Sequence, residues 1–531
     1  MIAQQHIELN QKVTQQLDEL INIGLAVSAE TDVAKVLDNI VRGAKAIAHA
    51  DGSTLFLLKD DALHMEIVQS SSLNLSLGGV SGNPMKMSSV PLYLPDGTKN
   101  LSNVASCVYH TNNTINIADA YNDQQFDFSG TKKFDQQNNY YSKSFLAVPM
   151  RNHEGDTVGV LELINALDAD THDIIAFSDF AQRYTETLAS LAATVLTKQQ
   201  LTNDLEQMFE TLIQLIATAI DEASPYTGGH CRRLPELTML IAEAAHNTDH
   251  GYLKDFVMSE RDRYELKIAG WLHDCGKITT PIYVIDKATK LETIYDRIQL
   301  VDERFEILRR DAEINLLKRS MAQPELAQTF AEEYQQQLAQ LADDQAFLHK
   351  VNKGGEFMHP EDQQRVRDLA QRQIHTPDGG TRNFLSDNEI YNLSIARGTL
   401  NNEERQVINQ HISSTINMLA KIPFPKHLKN VPEYACGHHE RMDGKGYPRG
   451  LTREQMSIQA RAMAIADIFE ALTAKDRPYK APKKLSEALA ILAKMKDEQH
   501  IDPDLYDAFM HHKVYLKYAQ EFLDSEQCDV D

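Results

Sequence analysis

The apolar period changes partway along this chain, and that change restricts its architecture more than any other feature. "TDVAKVLDNIVRGAKAIA" carries Val33, Val36, Leu37, Ile40 and Val41 at helical spacing behind a Thr/Asp start signal. Short β-rich runs follow, "STLFLLKDD", "TINIADAY", "SKSFLAVPM" and "TVGVLELINA", with "RNHEGD" as the hairpin connection between the last two. A sheet flanked by helices fits residues 15–180. From Leu188 the spacing turns heptad-like through Leu191, Val195, Lys198, Thr202, Leu205, Phe209, Leu212, Ile216 and Ala219, and beyond residue 220 the pattern is mostly helical. At 531 residues the chain also exceeds one ordinary core.

The expectation is a multidomain protein. An α+β domain occupies residues 1–184, a long linker helix 185–220, and an all-α domain 221–531. Within the last, residues 286–395 are rich in Gln, Glu, Asp and Leu with helical periodicity and no ligand cluster, which predicts an inserted helical hairpin. A 3,4 repeat held over four heptads favours a seam between two subunits, weakened in the middle by Lys198 and Thr202, so a homodimer is predicted.

Charge and cysteine usage exclude several classes of function. A net charge of -23 repels polyanions at long range, which argues against a nucleic-acid polymer or an anionic membrane as partner. Cys107, Cys231, Cys275, Cys436 and Cys528 form no paired framework and follow no signal peptide, so a reducing, cytoplasmic compartment is expected. No apolar run approaches the roughly 20 residues that cross a bilayer.

The chemistry lies in the C-terminal part. "WLHDCGK" places His273, Asp274 and Lys277 at a helix end, where neighbouring side chains can reach one polar centre. His230 in "HCRRLPELTMLIAEAA" sits one turn before Leu234, on the core side of an apolar stripe. His411 lies among Ile408, Ile412, Ile416 and Leu419; His438 and His439 open "HHERMDGKGYP"; Asp467 is placed in the apolar helix "RAMAIADIFEALT". A carboxylate in such surroundings is costly without compensation. Imidazole and carboxylate together suit borderline divalent ions such as iron or manganese, and this many ligands exceeds what one ion needs, so two metals are expected.

Two resemblances follow. "KSFLAVPMRNHEGDTVGVLELIN", with "INIADAYND" upstream, is similar to the second half of a GAF domain, which implies a module that senses a small-molecule or protein signal and supports dimerisation. Asn165 is followed by Ala166 where cyclic-nucleotide-binding members begin an Asn-Lys motif, and no cysteine marks a chromophore position. Residues 205–525, less the insertion, resemble the HD-GYP family of bacterial cyclic dinucleotide phosphodiesterases through "YTGGHCRR", "HDCGK", "HHERMDGKGYP" and "DIFEALTAKDRPY".

By that resemblance His230, His273, Asp274, His411, His438, His439 and Asp467 are metal ligands, with Asp274 the bridge, and Asp274 and Lys277 are catalytic. The implied reaction is hydrolysis of cyclic di-GMP to linear pGpG, either ending there or continuing to GMP; other cyclic dinucleotides such as cyclic GMP-AMP, or an inactive scaffold, are the alternatives. Lys277 would offset phosphoryl charge. Gly444, Gly446 and Pro448 shape a tight loop that either presents Tyr447 to substrate or braces the helix carrying Asp467. Arg233, Arg477 and Tyr479 contact phosphate or pair with carboxylates. Where some members carry a third-metal Glu four residues before the first ligand, this chain has Tyr226, which predicts a binuclear site.

Overall fold

The computed structural model describes residues 30, 32–223, 229–355, 357–376, 378–475 and 482–530, and it separates into two compact units, Met1–Met208 and Phe209–Asp531. Tyr226, Arg477 and Tyr479 lie outside the described residues.

The first unit contains α1 (Val33–Ile47), β1 (Ala50–Lys59), β2 (Ala62–Ser70), β3 (Leu75–Gly78), β4 (Val90–Pro91), α2 (Val104–Thr111), β5 (Ile115–Ile117), α3 (Ser129–Asn138), β6 (Phe145–Arg151), β7 (Thr157–Leu167) and β8 (Ile174–Ile175). The strands form one antiparallel sheet in the order β3-β2-β1-β7-β6-β5, with β4 on β2 and β8 on β7. Asp32 caps α1 by accepting from the amides of Ala34 and Lys35, as the Thr/Asp start signal implies. The β6–β7 connection closes at Gly155, whose φ of +89° falls in the left-handed region that favours glycine. Alternation then divides the sheet. Leu55, Leu146, Leu161 and Leu163 face α1 and the start of the following helix, while Phe56, Phe145, Ala147 and Val160 face α2.

Helix α4 (Asp179–Ala223) spans 45 residues. Leu188, Ala189, Ala192 and Ala193 are buried in the core of the first unit, and Ile213, Ala217 and Ile220 in that of the second. Leu201, Leu205, Met208 and Leu212 between them stand open, as does Leu215 beside Ile213, with Leu205 at 61% exposure. Phe209, counted in the heptad seam by sequence, instead packs against the second core, so the open stripe is turned toward Met208 and Leu215. Among the described residues, no helix is long and apolar enough to cross a membrane.

The second unit contains α5 (His230–His246), α6 (Glu260–Leu272), α7 (Ile282–Ile285), α8 (Ile298–Ala322), α9 (Ala327–Asn352), α10 (Pro360–Ala370), β9 (Gln373–His375), β10 (Thr381–Asn383), α11 (Asp387–Leu393), α12 (Asn402–Leu419), α13 (Val431–Cys436), α14 (Ile458–Thr473), α15 (Leu485–Asp497), α16 (Pro503–His511) and α17 (Val514–Phe522). Its main core joins Leu234, Leu237, Leu266, Ile412, Ile465, Phe469 and Phe509. Residues 286–395 build a core of their own from Leu291, Val301, Phe305, Leu348, Val366 and Phe384. One feature departs from the all-helical expectation: β9 and β10 form a two-stranded hairpin, because Gly379 at φ +83° turns the chain within the intervening "TPDGG". Two buried lysines tie the ends of this segment together. Lys290 Nζ donates to the carbonyls of Leu393 (3.0 Å) and Ile395 (2.8 Å), and Lys287 Nζ meets Glu404 at 2.7 Å in the first turn of α12.

Candidate metal centre

Five helix ends and faces deliver the chemistry to one place. His230 is the first residue of α5, entered through Gly229 at φ +86°. His273 caps the C-terminus of α6, and Asp274 follows at the start of a 3₁₀ turn. His411 lies in α12, His438 and His439 follow α13, and Asp467 lies in α14. The turn after Asp274 packs so closely on α12 that a Cβ at Gly276 would stand 2.0 Å from the His411 carbonyl oxygen. Glycine there is what lets α6 and α12 bring their histidines together.

Asp274 divides its oxygens between two histidine groups. Oδ2 lies 3.1 Å from His273 Nε2 and 3.5 Å from His230 Nε2, whereas Oδ1 lies 3.3 Å from His411 Nε2 and 4.0 Å from His438 Nε2. Within the groups, ring nitrogens approach at 3.2 Å (His230 to His273) and 3.1 Å (His411 to His439). Asp467 joins the first group, 3.5 Å from His230 Nε2. All seven sequence-predicted ligands therefore converge; His230, His273, Asp274, His411 and His438 are buried, and His439 and Asp467 are half-buried.

The outer nitrogens set the character of the inner ones. Nδ1 of His273 donates to Gly270 O (2.7 Å), that of His411 to Ile408 O (2.5 Å) and that of His438 to Ala435 O (2.7 Å). A neutral imidazole that spends its proton outward presents an unprotonated nitrogen inward. His438 Nε2 and Asp274 Oδ1 are buried with no hydrogen-bond partner. Acceptors facing acceptors in a dry site are costly unless cations lie among them, so the donor set fits divalent metal. Among the described residues two groups of this kind are present, His230–His273–Asp274 and His411–His438–His439.

His230 differs from the other three. Its Nδ1 faces Glu470 at 2.6 Å rather than a carbonyl. Burial opposes charge on His230, but the Glu470 carboxylate overrides it and carries the imidazole pKa up to about 10. Burial likewise opposes the Glu470 charge, yet His230 and Arg233 hold that carboxyl down at about 2. His439, desolvated by burial, is lowered to about 4 and stays neutral. A metal at His230 Nε2 would replace a proton there.

The substrate-side expectations fare differently from one another. Lys277 Nζ lies 2.5 Å from Asp274 Oδ2, so it balances the charge of that carboxylate. Arg233, expected against phosphate or a carboxylate, takes the second course: Nε and one Nη bond Glu470 at 2.9 and 2.7 Å. Tyr447 stacks on the His439 ring at 4.8 Å and 18°, bracing that histidine rather than the helix carrying Asp467. Sequence reasoning missed Glu470, although it stands one turn beyond Asp467 on the same apolar helix. It also missed Glu440, buried and accepting the amides of Arg449 (2.8 Å) and Leu451 (2.9 Å), which pins the tight loop after the histidines.

Residues 32–196 match the GAF domain family, and residues 387–505 match the HD domain family. The chain carries a GAF domain and an HD domain. His411, His438, His439 and Asp467 fall within the HD match, while His230, His273 and Asp274 precede it across the insertion. Over the HD region the chain is 41% identical across 99 residues to a probable cyclic di-GMP phosphodiesterase of Vibrio cholerae, which is 18% of this chain and 22% of that one. It is 39% identical across 114 residues to a 3'3'-cGAMP-specific phosphodiesterase of the same organism (21% and 23%), and 36% identical across 118 residues to a cyclic di-GMP phosphodiesterase of Thermotoga maritima (22% and 31%). The similarity thus spans under a third of the length of each of these relatives.

Proposed function

We propose that the HD domain hydrolyses a cyclic dinucleotide, cyclic di-GMP to linear pGpG, under control of a signal received by the GAF domain. The observation that carries this reading is Asp274, whose two oxygens face two separate histidine groups. His230, His273, Asp274 and Asp467 would hold one divalent ion and Asp274, His411, His438 and His439 a second, iron or manganese. Bound there, such ions supply positive charge that offsets the phosphodiester anion and acidifies water. The chain's own residues do the remaining work. Carbonyl bonds fix the ring planes of His273, His411 and His438; Lys277 balances Asp274; Tyr447 and Glu440 hold the loop after His439 against the centre. Cyclic GMP-AMP is the second reading, favoured by the relative specific for 3'3'-cGAMP. We further propose that two copies associate along the open stripe of α4.

The test is anaerobic turnover of cyclic di-GMP by protein loaded with iron or manganese, beside Asp274→Ala, with metal content measured in both. Linear product from the parent and loss of both product and metal in the variant are expected. Full metal with turnover only of cyclic GMP-AMP would move the assignment to the second reading, and absence of metal from the parent would overturn the centre.

A further inference from the structure

One buried acid in the first unit has no structural employment. Glu162 occupies the central strand β7, and the register around it is defined on both sides: Thr54 of β1 and Ala147 of β6 stand directly opposite. The same row continues outward to Val68 on β2 and Ile115 on β5. Across five strands, then, the row reads Val68, Thr54, Glu162, Ala147, Ile115, and Glu162 is its one ionisable member. Along β7 itself its neighbours on that face are Val160 and Ile164, whose partners on β1 and β6 include Phe56 and Phe145. Phe128 packs on Phe145 at 5.2 Å and on Phe126 at 6.5 Å, so the surroundings are aromatic and apolar. Helix α2 packs over β6 and β7 on this side, and Ser106 within it is fully buried with an unpartnered hydroxyl.

No hydrogen bond or ion pair reaches the Glu162 carboxylate among the described residues. The residue is 9% exposed. Burial alone pushes its pKa up, to about 7. Other buried acids of this unit are well supplied by contrast: Asp51 accepts from Ser70, Ser72 and Tyr140, and Asp135 from Tyr121 and Ser142. A carboxylate without such partners costs several kcal/mol relative to an apolar residue, on the order of the penalty for any unpaired buried polar group. A strand whose other inward residues are apolar has no structural reason to retain one.

Resting on the reading of this unit as the signal receiver, we propose that it binds a small organic cation, an amine or amidinium on an apolar body, with Glu162 as the counter-ion and Phe56 and Phe145 beside the cation. A carboxylate sharing one buried sheet face with Phe56 and Phe145 is complementary to that class: aromatic rings attract positive charge through their faces and the acid supplies the paired charge. An anionic ligand would face repulsion from Glu162, and a neutral apolar one would leave the acid as unsatisfied as before.

The experiment uses the full chain and two probes, benzamidinium and 2-phenylethylammonium, against their uncharged counterparts benzamide and 2-phenylethanol, with binding followed by calorimetry at pH 8. At least one cation is expected to bind the parent, its uncharged counterpart at least tenfold more weakly, and Glu162→Gln is expected to lose at least tenfold in cation affinity. Glu162→Asp, which keeps the charge, should retain binding and guards against a folding artefact in the first variant. Equal binding to parent and Glu162→Gln, or binding of neither cation to the parent, would overturn the proposal. Cation binding by a chain that turns over no cyclic dinucleotide would overturn the proposed hydrolysis and leave this inference standing.

Discussion

Glu470 accepts the Nδ1 proton of His230 at 2.6 Å, while its other oxygen takes two bonds from Arg233. Among the described residues His230 meets a carboxylate through Nδ1 where His273, His411 and His438 meet carbonyls, and that carboxylate is itself held by an arginine. Loss of such an outer partner weakens metal binding by about 10–100-fold. Glu470→Gln should therefore lower metal affinity within that range, read by competition with a chelator, and lower turnover with it. Unchanged metal affinity would mean that Glu470 serves only the packing of α14.

Gly276 is required by contact. A methyl group there would stand 2.0 Å from the His411 carbonyl oxygen and 2.5 Å from the Thr415 amide nitrogen, both backbone atoms of α12. Gly276→Ala should cost about 1–3 kcal/mol through forced backbone movement. Because the displaced helix carries His411, metal content should fall together with the melting temperature. A variant that melts normally and holds its metal would contradict the packing described.

Glu162 makes the stability of the first unit depend on pH with a definite sign. Its folded pKa of about 7 lies above the usual 4.5. Below the lower value both folded and unfolded chains are protonated and the native state carries no penalty. As pH rises toward 7 the unfolded chain ionises first, so stability is lost across that window and levels off above it. The difference in unfolding free energy between Glu162→Gln and the parent should grow over this range by a few kcal/mol at most. Denaturant titrations from pH 4.5 to 8 measure it, and a flat difference would show that Glu162 ionises normally.

Leu205 and Leu212 stand seven residues apart on the open stripe of α4. Burying a leucine against a second helix stabilises by roughly 1.5–3 kcal/mol, and a charge at the same place reverses that gain. Leu205→Asp combined with Leu212→Asp should halve the mass seen by light scattering if two copies pair there. A parent that is already monomeric at micromolar concentration would end the proposal.

Much of the centre could be read from the chain because its candidate ligands come in local pairs. His273 with Asp274 and His438 with His439 are adjacent, and Asp467 directly follows the apolar run Ala462–Ala466. The sheet was legible for a related reason: the β6–β7 hairpin is a local structure with its own turn signal. Glu470 was hidden because its partner His230 is 240 positions away, and a glutamate in a helix carries no sign of what it meets. β2 and β3 went unseen because "ALHMEIVQS" and "LSLG" lack the concentrated apolar runs of the other strands.

The sequence by itself determined that two kinds of domain stand in one chain, joined by a long helix, and which imidazoles and carboxylates are available to bind metal. Period and residue type suffice for that, since both are local. Tertiary structure alone decided that Asp274 faces two histidine groups at once, that Arg233 is spent on Glu470, and that Phe209 is packed while Met208 and Leu215 are open. Each of these depends on which of several equivalent surfaces a distant helix covers. Helical periodicity fixes what faces a stripe presents, but only packing of the whole core selects the stripe that is buried.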